Sequence, residues 1–172
     1  MDQKGKPDLA IEPLGANHDR AAFSCGIAPL DKYLQTQARQ DVDKNLGAVF
    51  VLTPDGKTIA GFYSLSQYSV QSDTIPDEIA RKLTRYPHIP TTLIGRLARS
   101  TNFHGQGLGE ILLMDALKRC LTTSKLVASW AVIVDAKDAE SVAFYKKYGF
   151  IEIPQVPNRL FLPMATVAKM FP

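Results

Sequence analysis

The residue types best placed to do chemistry lie in two short stretches. The first is His104-Gly-Gln-Gly-Leu-Gly109, with glycines at 105, 107 and 109, where a strand-like run turns into a long amphipathic helix. Without side chains in the way, backbone amides at such a bend can converge on an anion, and the helix that follows adds the positive end of its dipole. That chemistry suits a pyrophosphate. The second stretch is Asp138-Ala-Glu-Ser-Val-Ala-Phe-Tyr-Lys-Lys-Tyr-Gly-Phe150, which carries two carboxylates, a hydroxyl and two phenols on what reads as a short helix. The loop taken alone also fits a plain strand-to-helix turn. It is not a Walker loop, because no Gly-Lys-Ser/Thr ending follows. Nor is it placed like a Rossmann loop, because it lies past residue 100 and after a hairpin.

Charge is informative in its distribution rather than its total. The net value is only +3, yet the window from Ile79 to Gly109 holds Arg81, Lys82, Arg85, Arg96 and Arg99 and no Asp or Glu. Such a window reads either as a positive field facing an anionic ligand or as a solvated basic face. The two cysteines, Cys25 and Cys120, are neither metal-spaced nor a disulfide framework, so no metal is expected and Cys120 reads as a small core residue. The N-terminal residues lack the apolar run of a signal peptide, and no apolar stretch approaches membrane-spanning length. A cytoplasmic protein without membrane contact is the expectation.

The elements that must position these residues follow from periodicity and turn chemistry. At 172 residues with 45% hydrophobic content, one domain over 1–172 is the economical reading, with 1–8 as a loose lead-in. Leu9–Leu14 reads as a strand, Asp19–Phe23 as one helical turn, and Ala28 to about Val42 as a helix. Ala48–Leu52 and Thr58–Tyr68 read as a hairpin closed by Thr53-Pro-Asp-Gly56. Asp73–Leu83 is expected to be helical with Pro76 near its start, and Tyr86-Pro-His-Ile-Pro90 to break the pattern. Thr91–Arg99 reads as a strand, Asn102–Gly109 as the glycine loop, and Gly109–Leu121 as a helix burying Ile111, Leu112, Leu113, Ala116, Leu117 and Cys120. Leu126–Val134 is expected as a strand and Ala139–Tyr148 as a helix ended by Gly149. Phe150–Ile153 and Arg159–Met164 close the chain as strands. The fold class is α/β (α+β): a mixed sheet with flanking helices and short connections.

With both motifs in view, the chain resembles the N-acetyltransferases of the GNAT family. Their loop pattern, Arg/Gln-x-x-Gly-x-Gly/Ala, is matched by the loop, with His104 where Arg or Gln is usual. A neutral imidazole is a weaker phosphate partner than a guanidinium, but the amides that hold pyrophosphate survive the change. Their later motif is matched by Asp138, Ser141, Phe144, Tyr145, Gly149 and Phe150, and the resemblance runs from about Phe23 to Met164. Five segments, Phe23-Ser-Cys-Gly26, Leu30–Leu34, Gly61–Leu65, Ile94–Ala98 and Val134–Asp138, look like the acetyltransferase toxins of type II toxin–antitoxin modules. Arg99-Ser100 stands where those toxins often carry Val-Asp.

The resemblance implies a single GNAT-type domain with a twisted, mostly antiparallel sheet and splayed central strands. It implies acetyl-CoA as acetyl donor. The backbone of Leu97, Ala98 and Arg99 would pair with pantetheine, and the loop His104, Gly105, Gln106, Gly107, Leu108, Gly109 and Glu110 would hold the diphosphate. The N–H of Ala98 would polarise the thioester carbonyl. Asp138, Ser141 and Phe144 would line the cofactor end of their helix, although Asp138 also reads as a helix N-cap. Tyr145 is the implied general acid: a phenol with a pKa of about 10 stays protonated at neutral pH and can serve a leaving thiolate. The alternative for Tyr145 is a core ring, and Tyr148 is the rival tyrosine.

In the toxins the acceptor is the free amino group of an aminoacyl-tRNA, acetylation blocks translation, and a small ribbon-helix-helix antitoxin neutralises the enzyme. Homodimers are frequent. No carboxylate stands out here as a general base, which fits an α-amine of pKa about 7.7–8.0 better than a lysine near 10.4. Some of the basic window would then serve the donor's phosphates, and Arg81, Lys82, Arg85 and Arg96 would track an RNA backbone. Lys32, Lys146 and Lys147 extend that track, and Tyr86, Pro87 and His88 could stack on an acceptor-end base. An acetyltransferase for a small amine or protein N-terminus shares the cofactor residues and loses only the RNA track, whereas Tyr145 and an unblocked thioester strand argue against a non-catalytic module that binds acetyl-CoA or a protein partner.

Overall fold

Ala131-Val-Ile-Val134 is an unbroken apolar run, and such runs suit a strand covered on both faces. In the computed structural model, which describes residues 8–83 and 86–172, these four residues are buried in β5 (Ala131–Asp135). The other strands are β1 (Ala10–Pro13), β2 (Ala48–Thr53), β3 (Gly61–Gln71), β4 (His88–Arg99), β6 (Ile151–Glu152) and β7 (Arg159–Pro163). They form a seven-stranded sheet in the order β1-β2-β3-β4-β5-β7-β6. β1/β2, β5/β7 and β6/β7 are antiparallel, and β4/β5 is parallel. A parallel pair needs a crossover, which the long helix α4 (Leu108–Ser124) supplies. The β4/β5 ladder runs from Thr91–Ala131 to Ile94–Val134, and β4 continues to Arg99.

The remaining helices are α1 (Ala28–Lys32), α2 (Ala38–Asp43), α3 (Asp77–Ala80), α5 (Ala139–Lys147) and α6 (Met164–Met170). α1 and α2 are joined without a break by a π-helical stretch, Tyr33–Gln37. Its wide turn shows in the Ala38 amide, which donates to Tyr33 O five residues back. Thr36 Oγ1 donates to Lys32 O at 2.7 Å, a side-chain competitor for a carbonyl of the regular helical ladder.

The chain divides into two compact units, Met1–Ser64 with Arg96–Asp115, and Leu65–Gly95 with Ala116–Pro172. The first has a core around Phe23, Tyr33, Leu34, Val51 and Phe62, in which Phe23 meets Phe62 edge-on at 5.4 Å. The second is centred on Val70, Ile89, Ile133, Ile153 and Phe161, with Trp130 stacked on Phe161 at 5.5 Å.

In the first unit Gly61 lets β3 approach the end of β4. A Cβ built there would lie 3.0 Å from Ala98 O and 2.8 Å from Leu112 Cδ1. Leu112 can yield, but the strand carbonyl cannot. We predict that Gly61→Ala destabilises the protein by about 1–3 kcal/mol in urea denaturation. A midpoint unchanged from wild type would refute that close approach.

The hairpin forms as expected. Asp55 closes its turn by accepting from the amides of Thr58 (2.6 Å) and Lys57 (2.8 Å) and from Thr58 Oγ1. Those amides, Thr58 first, lower its carboxyl pKa to about 2.

Several local expectations change in the fold. Asp19–Phe23 is not a helical turn; Asp19 bridges to Thr58 and its carboxylate accepts from Ala22 N. The helix expected over Asp73–Leu83 shrinks to α3 after a 3-10 turn at Ser72–Thr74, because Ile75, the residue before Pro76, is extended (φ −80°, ψ 146°). The break expected at Tyr86–Pro90 ends early: β4 starts at His88 and takes in Pro90, which needs no N–H there and accepts from Trp130 N at 2.8 Å. Leu126 and Val127 are not in a strand. Their amides both turn back to Thr123 O, and their side chains are exposed. Ile111, expected on the buried face of α4, is exposed as well, and the returning strand β3 begins at Gly61. α6 lay within and beyond what read as a terminal strand.

Candidate active site

The first unit holds the end of β4 and the glycine loop. Ala98 is buried in its core while Leu97 and Arg99 are half-buried at the end of β4. Ser100 then turns the chain: its amide donates to Ala60 O at 2.8 Å, and its Oγ accepts from Asn102 N, capping a 3-10 turn at Thr101–Phe103. Thr101 N donates to Ser24 O at 2.9 Å, and Asp31 holds that neighbour in place by accepting from Cys25 N at 2.8 Å. Ser24, Asp31 and Thr101 were not singled out for any such role from the sequence. The only signal for Ser24 and Asp31 was membership of the Phe23–Gly26 and Leu30–Leu34 segments, and Thr101 carried none.

The loop itself follows. Gly105 and Gly107 have φ of +78° and +68°, and a Cβ at either would meet nothing within 4 Å. Glycine is therefore required by backbone conformation and not by crowding. α4 begins at Leu108, whose side chain is buried and anchors the helix start. Ile111 N already donates to Gly107 O. The amides of Leu108, Gly109 and Glu110 precede it and have no acceptor within the helix, so they remain donors for an anion. Glu110 can contribute only through its amide, since its carboxylate would repel a phosphate. Gln106 is exposed. His104 is also exposed, and its Nδ1 lies 2.7 Å from Arg99 Nη1.

The second unit holds Asp138, Ser141, Phe144 and Tyr145 on α5 or at its start. Asp138 is the N-cap, with Oδ1 accepting from Ser141 N at 2.8 Å; that amide holds its carboxyl below the usual range. The sign of the linkage is that of a depressed carboxylate. The cap contributes above the unfolded-state pKa and is lost as pH falls through the lower native one. Asp138→Ala is therefore expected to lower the thermal midpoint at pH 7, with the gap to wild type closing on acidification. A gap that is constant down to acid pH would contradict the cap.

Phe144 packs edge-on between Tyr145 and Tyr148, each at 5.2 Å. The Tyr145 ring is buried and also meets Phe150 at 5.4 Å. Its hydroxyl has no hydrogen-bond partner among the described residues. Burial pushes the phenol up to about 12. Gly149 ends the helix with φ +94°, as expected of a C-cap.

The basic residues separate. Arg81 and Lys82 are exposed just after α3, and Arg85 lies outside the described residues. Arg96 is in the first unit, its guanidinium carbon 3.6 Å from the centre of the Tyr33 ring. Tyr33 donates to Asp41 Oδ2 at 3.1 Å, and burial pushes its phenol up to about 12. Among the described residues no three His, Cys, Asp or Glu gather as a metal group, and no helix is long and apolar enough to cross a membrane.

A bend of left-handed glycines opening a helix, and a capped helix carrying a buried phenol, are the two features of one family in particular. The sequence model of the acetyltransferase (GNAT) family matches residues 17–150. The chain belongs to that family. This acetyltransferase is 33% identical to a protein of Sinorhizobium fredii described as probable toxin TacT, over 99% of both chains. It is 34% identical to a tRNA-acetylating toxin of Mycobacterium tuberculosis, over 85% of this chain and 86% of the other. Among solved structures it is similar to AtaT complexed with acetyl-methionyl-tRNAfMet, with a TM-score of 0.89 and 27% identity over 96% of this chain and 100% of that one. It is also similar to a mutant AtaT toxin bound to the C-terminus of the antitoxin AtaR and acetyl-CoA, with a TM-score of 0.81 and 26% identity over 95% and 98%.

Proposed function

We propose that this acetyltransferase is a toxin that moves an acetyl group from acetyl-CoA to the α-amino group of an aminoacyl-tRNA, which blocks translation, and that a cognate antitoxin neutralises it. The carrying observation is the likeness, over nearly the whole chain, to a toxin solved with an acetylated aminoacyl-tRNA. The tRNA-acetylating relative supports it at 34% identity. A ribbon-helix-helix antitoxin, a homodimeric state, a single domain over 1–172 and a cytoplasmic location complete the reading.

The donor supplies an activated thioester. The amides of Leu108, Gly109 and Glu110, which have no acceptor within the helix, hold its diphosphate, with Gly105 and Gly107 setting the bend. The end of β4 at Leu97, Ala98 and Arg99 aligns the pantetheine arm as an added strand, and the Ala98 N–H steadies the carbonyl oxygen. Asp138 acts here as the cap that orients α5, with Ser141 and Phe144 lining that helix. The amine forms the new C–N bond, the C–S bond breaks, the nitrogen loses one proton and the sulfur gains one.

Tyr145 is the donor to the sulfur. A phenol near 12 stays protonated throughout the neutral range, but it is a weaker acid than a thiol of pKa about 8.5. Its part is to donate a hydrogen bond that strengthens as charge develops on sulfur. Any proton it passes on is replaced by the one the amine releases. Arg81, Lys82, Arg85 and Arg96 meet the RNA backbone, with Arg96 held over Tyr33. The test is radiolabelled acetyl-CoA with a pool of charged tRNA. Label released with the amino acid on mild alkaline deacylation is expected. Donor consumption without label in the aminoacyl group would reject the acceptor.

A further inference from the structure

In the second unit one guanidinium ties three strands together. Arg159, the first residue of β7, donates from Nε to Asp135 Oδ1 at 2.7 Å and from Nη2 to Asp135 Oδ2 at 3.0 Å. Its Nη1 donates to the hydroxyl of Tyr68 on β3 at 2.8 Å, and its guanidinium carbon lies 5.0 Å from the centre of that ring. Two parallel bonds between planar groups fix orientation as well as distance, which a single contact does not. The Arg159 side chain is only 22% exposed. The pair Lys146–Glu152 is a contrast: it has one contact at 3.4 Å, both side chains are more than half exposed, and it contributes little.

The excursion that this clamp closes is the one that carries Tyr145. Asp135 ends β5 and faces Arg159 as the last pair of the β5/β7 ladder. The next amide, Ala136 N, donates to Asn158 O at 2.8 Å, with Asn158 left-handed at φ +63°. Asp138 then caps α5. After α5 the chain returns through β6, and Ile153 N donates to Arg159 O at 2.9 Å. The stretch from Asp135 to Ile153 therefore departs from the side chain of Arg159 and comes back to its backbone, with α5 and Tyr145 inside it.

We propose that Arg159 is a positioning residue for acetyl transfer: its fork on Asp135, braced by Tyr68, sets the direction in which α5 leaves β5 and so where the Tyr145 hydroxyl stands. It acts through that phenol and touches neither substrate. The leverage is large, because misplacing a reacting group by about 1 Å can cost roughly 100-fold in rate. The inference rests on the role proposed above for Tyr145, and the experiment separates the two.

Acetyl transfer to charged tRNA, acetyl-CoA affinity and the thermal midpoint are measured for Arg159→Lys and Asp135→Asn, each with Tyr145 intact and with Tyr145→Phe. Lys keeps the cation without the fork, and Asn keeps the shape with one acceptor oxygen. With Tyr145 intact, each is expected to lower kcat by about 10- to 30-fold. Once Tyr145 is Phe, each should cost less than ~2-fold more, because a residue that works only through the phenol has nothing left to lose. KM for charged tRNA and acetyl-CoA affinity should stay near wild type. Should either variant fail to fold, Tyr68→Phe removes the brace alone and is expected to show a smaller loss with the same dependence on Tyr145. The same factor of loss in both backgrounds would reveal a general structural role and overturn the proposal. So would full kcat in the folded variants, or a loss confined to the KM for charged tRNA, which would make Arg159 an RNA contact. Tyr145→Phe that matches wild type by itself would defeat the reading of Tyr145, and Arg159 would fall with it.

Discussion

Replacing Tyr145 by Phe is expected to lower kcat by about 100- to 1000-fold, the range spanned by positioned acids and oxyanion donors. Stability and acetyl-CoA affinity should stay close to wild type. The asymmetry comes from the surroundings of the side chain. Its ring is buried against Phe144 and Phe150, so Phe fills the same space. Its hydroxyl has no partner among the described residues, so removing it leaves none of them with an orphaned donor or acceptor. A loss of turnover with an intact fold would therefore come from the reaction. Near-normal kcat in Tyr145→Phe would move attention to Tyr148 or to solvent as the proton source. The pH profile is a second check. With the phenol at about 12, Tyr145 gives no alkaline fall below pH ~10, and activity should rise as the α-amine, of pKa about 7.7–8.0 before its ester lowers it, loses its proton.

The other large effect is expected at Gly107. Substitution by Val should weaken acetyl-CoA binding by at least ~10-fold, since left-handed backbone costs an ordinary residue about 1–2 kcal/mol and a β-branched one more. Nothing lies within 4 Å of a Cβ at that position, so the substitution does not overpack the fold. The chain relieves its strain by leaving φ +68°, which turns the amides at the start of α4 away from their common target. Gly107→Asn distinguishes this account from crowding, because Asn tolerates the left-handed region and should keep most of the affinity. If Asn and Val lose equally, side-chain bulk at the bound donor matters and backbone conformation does not. Titration calorimetry with acetyl-CoA reads both variants, and far-UV circular dichroism checks that each is folded.

Much of this was legible along the chain because the relevant physics is local. Glycine at 105 and 107 marks left-handed backbone wherever it stands. Asp138 three residues before Ser141 can cap a helix with no help from elsewhere, and Gly149 can end one. The hairpin around Asp55 closes within six residues. The apolar run at Ala131–Val134 announces a buried strand. Spacing of this kind also carries the family resemblance, so the loop, the Tyr145 helix and the fold class could be named before any coordinates.

Local pattern failed where neighbours distant in sequence made the decision. Leu126 and Val127 look like strand residues, but their amides close the turn after α4 and their side chains stay exposed. Pro90 looks like a breaker, but at its place in β4 only its carbonyl is needed. Ile111 has the right type for the core and the wrong angle on its helix. Gly61 resembles any strand glycine until Ala98 and Leu112 are packed against it. Arg96 and Arg99 are two similar cations in one basic window. Only the tertiary structure puts the first over an aromatic ring and the second on the imidazole that opens the loop. Composition and period set what each segment can become. Which side chains meet depends on a register and packing that no single segment contains, and at this loop that decides which cation meets the imidazole.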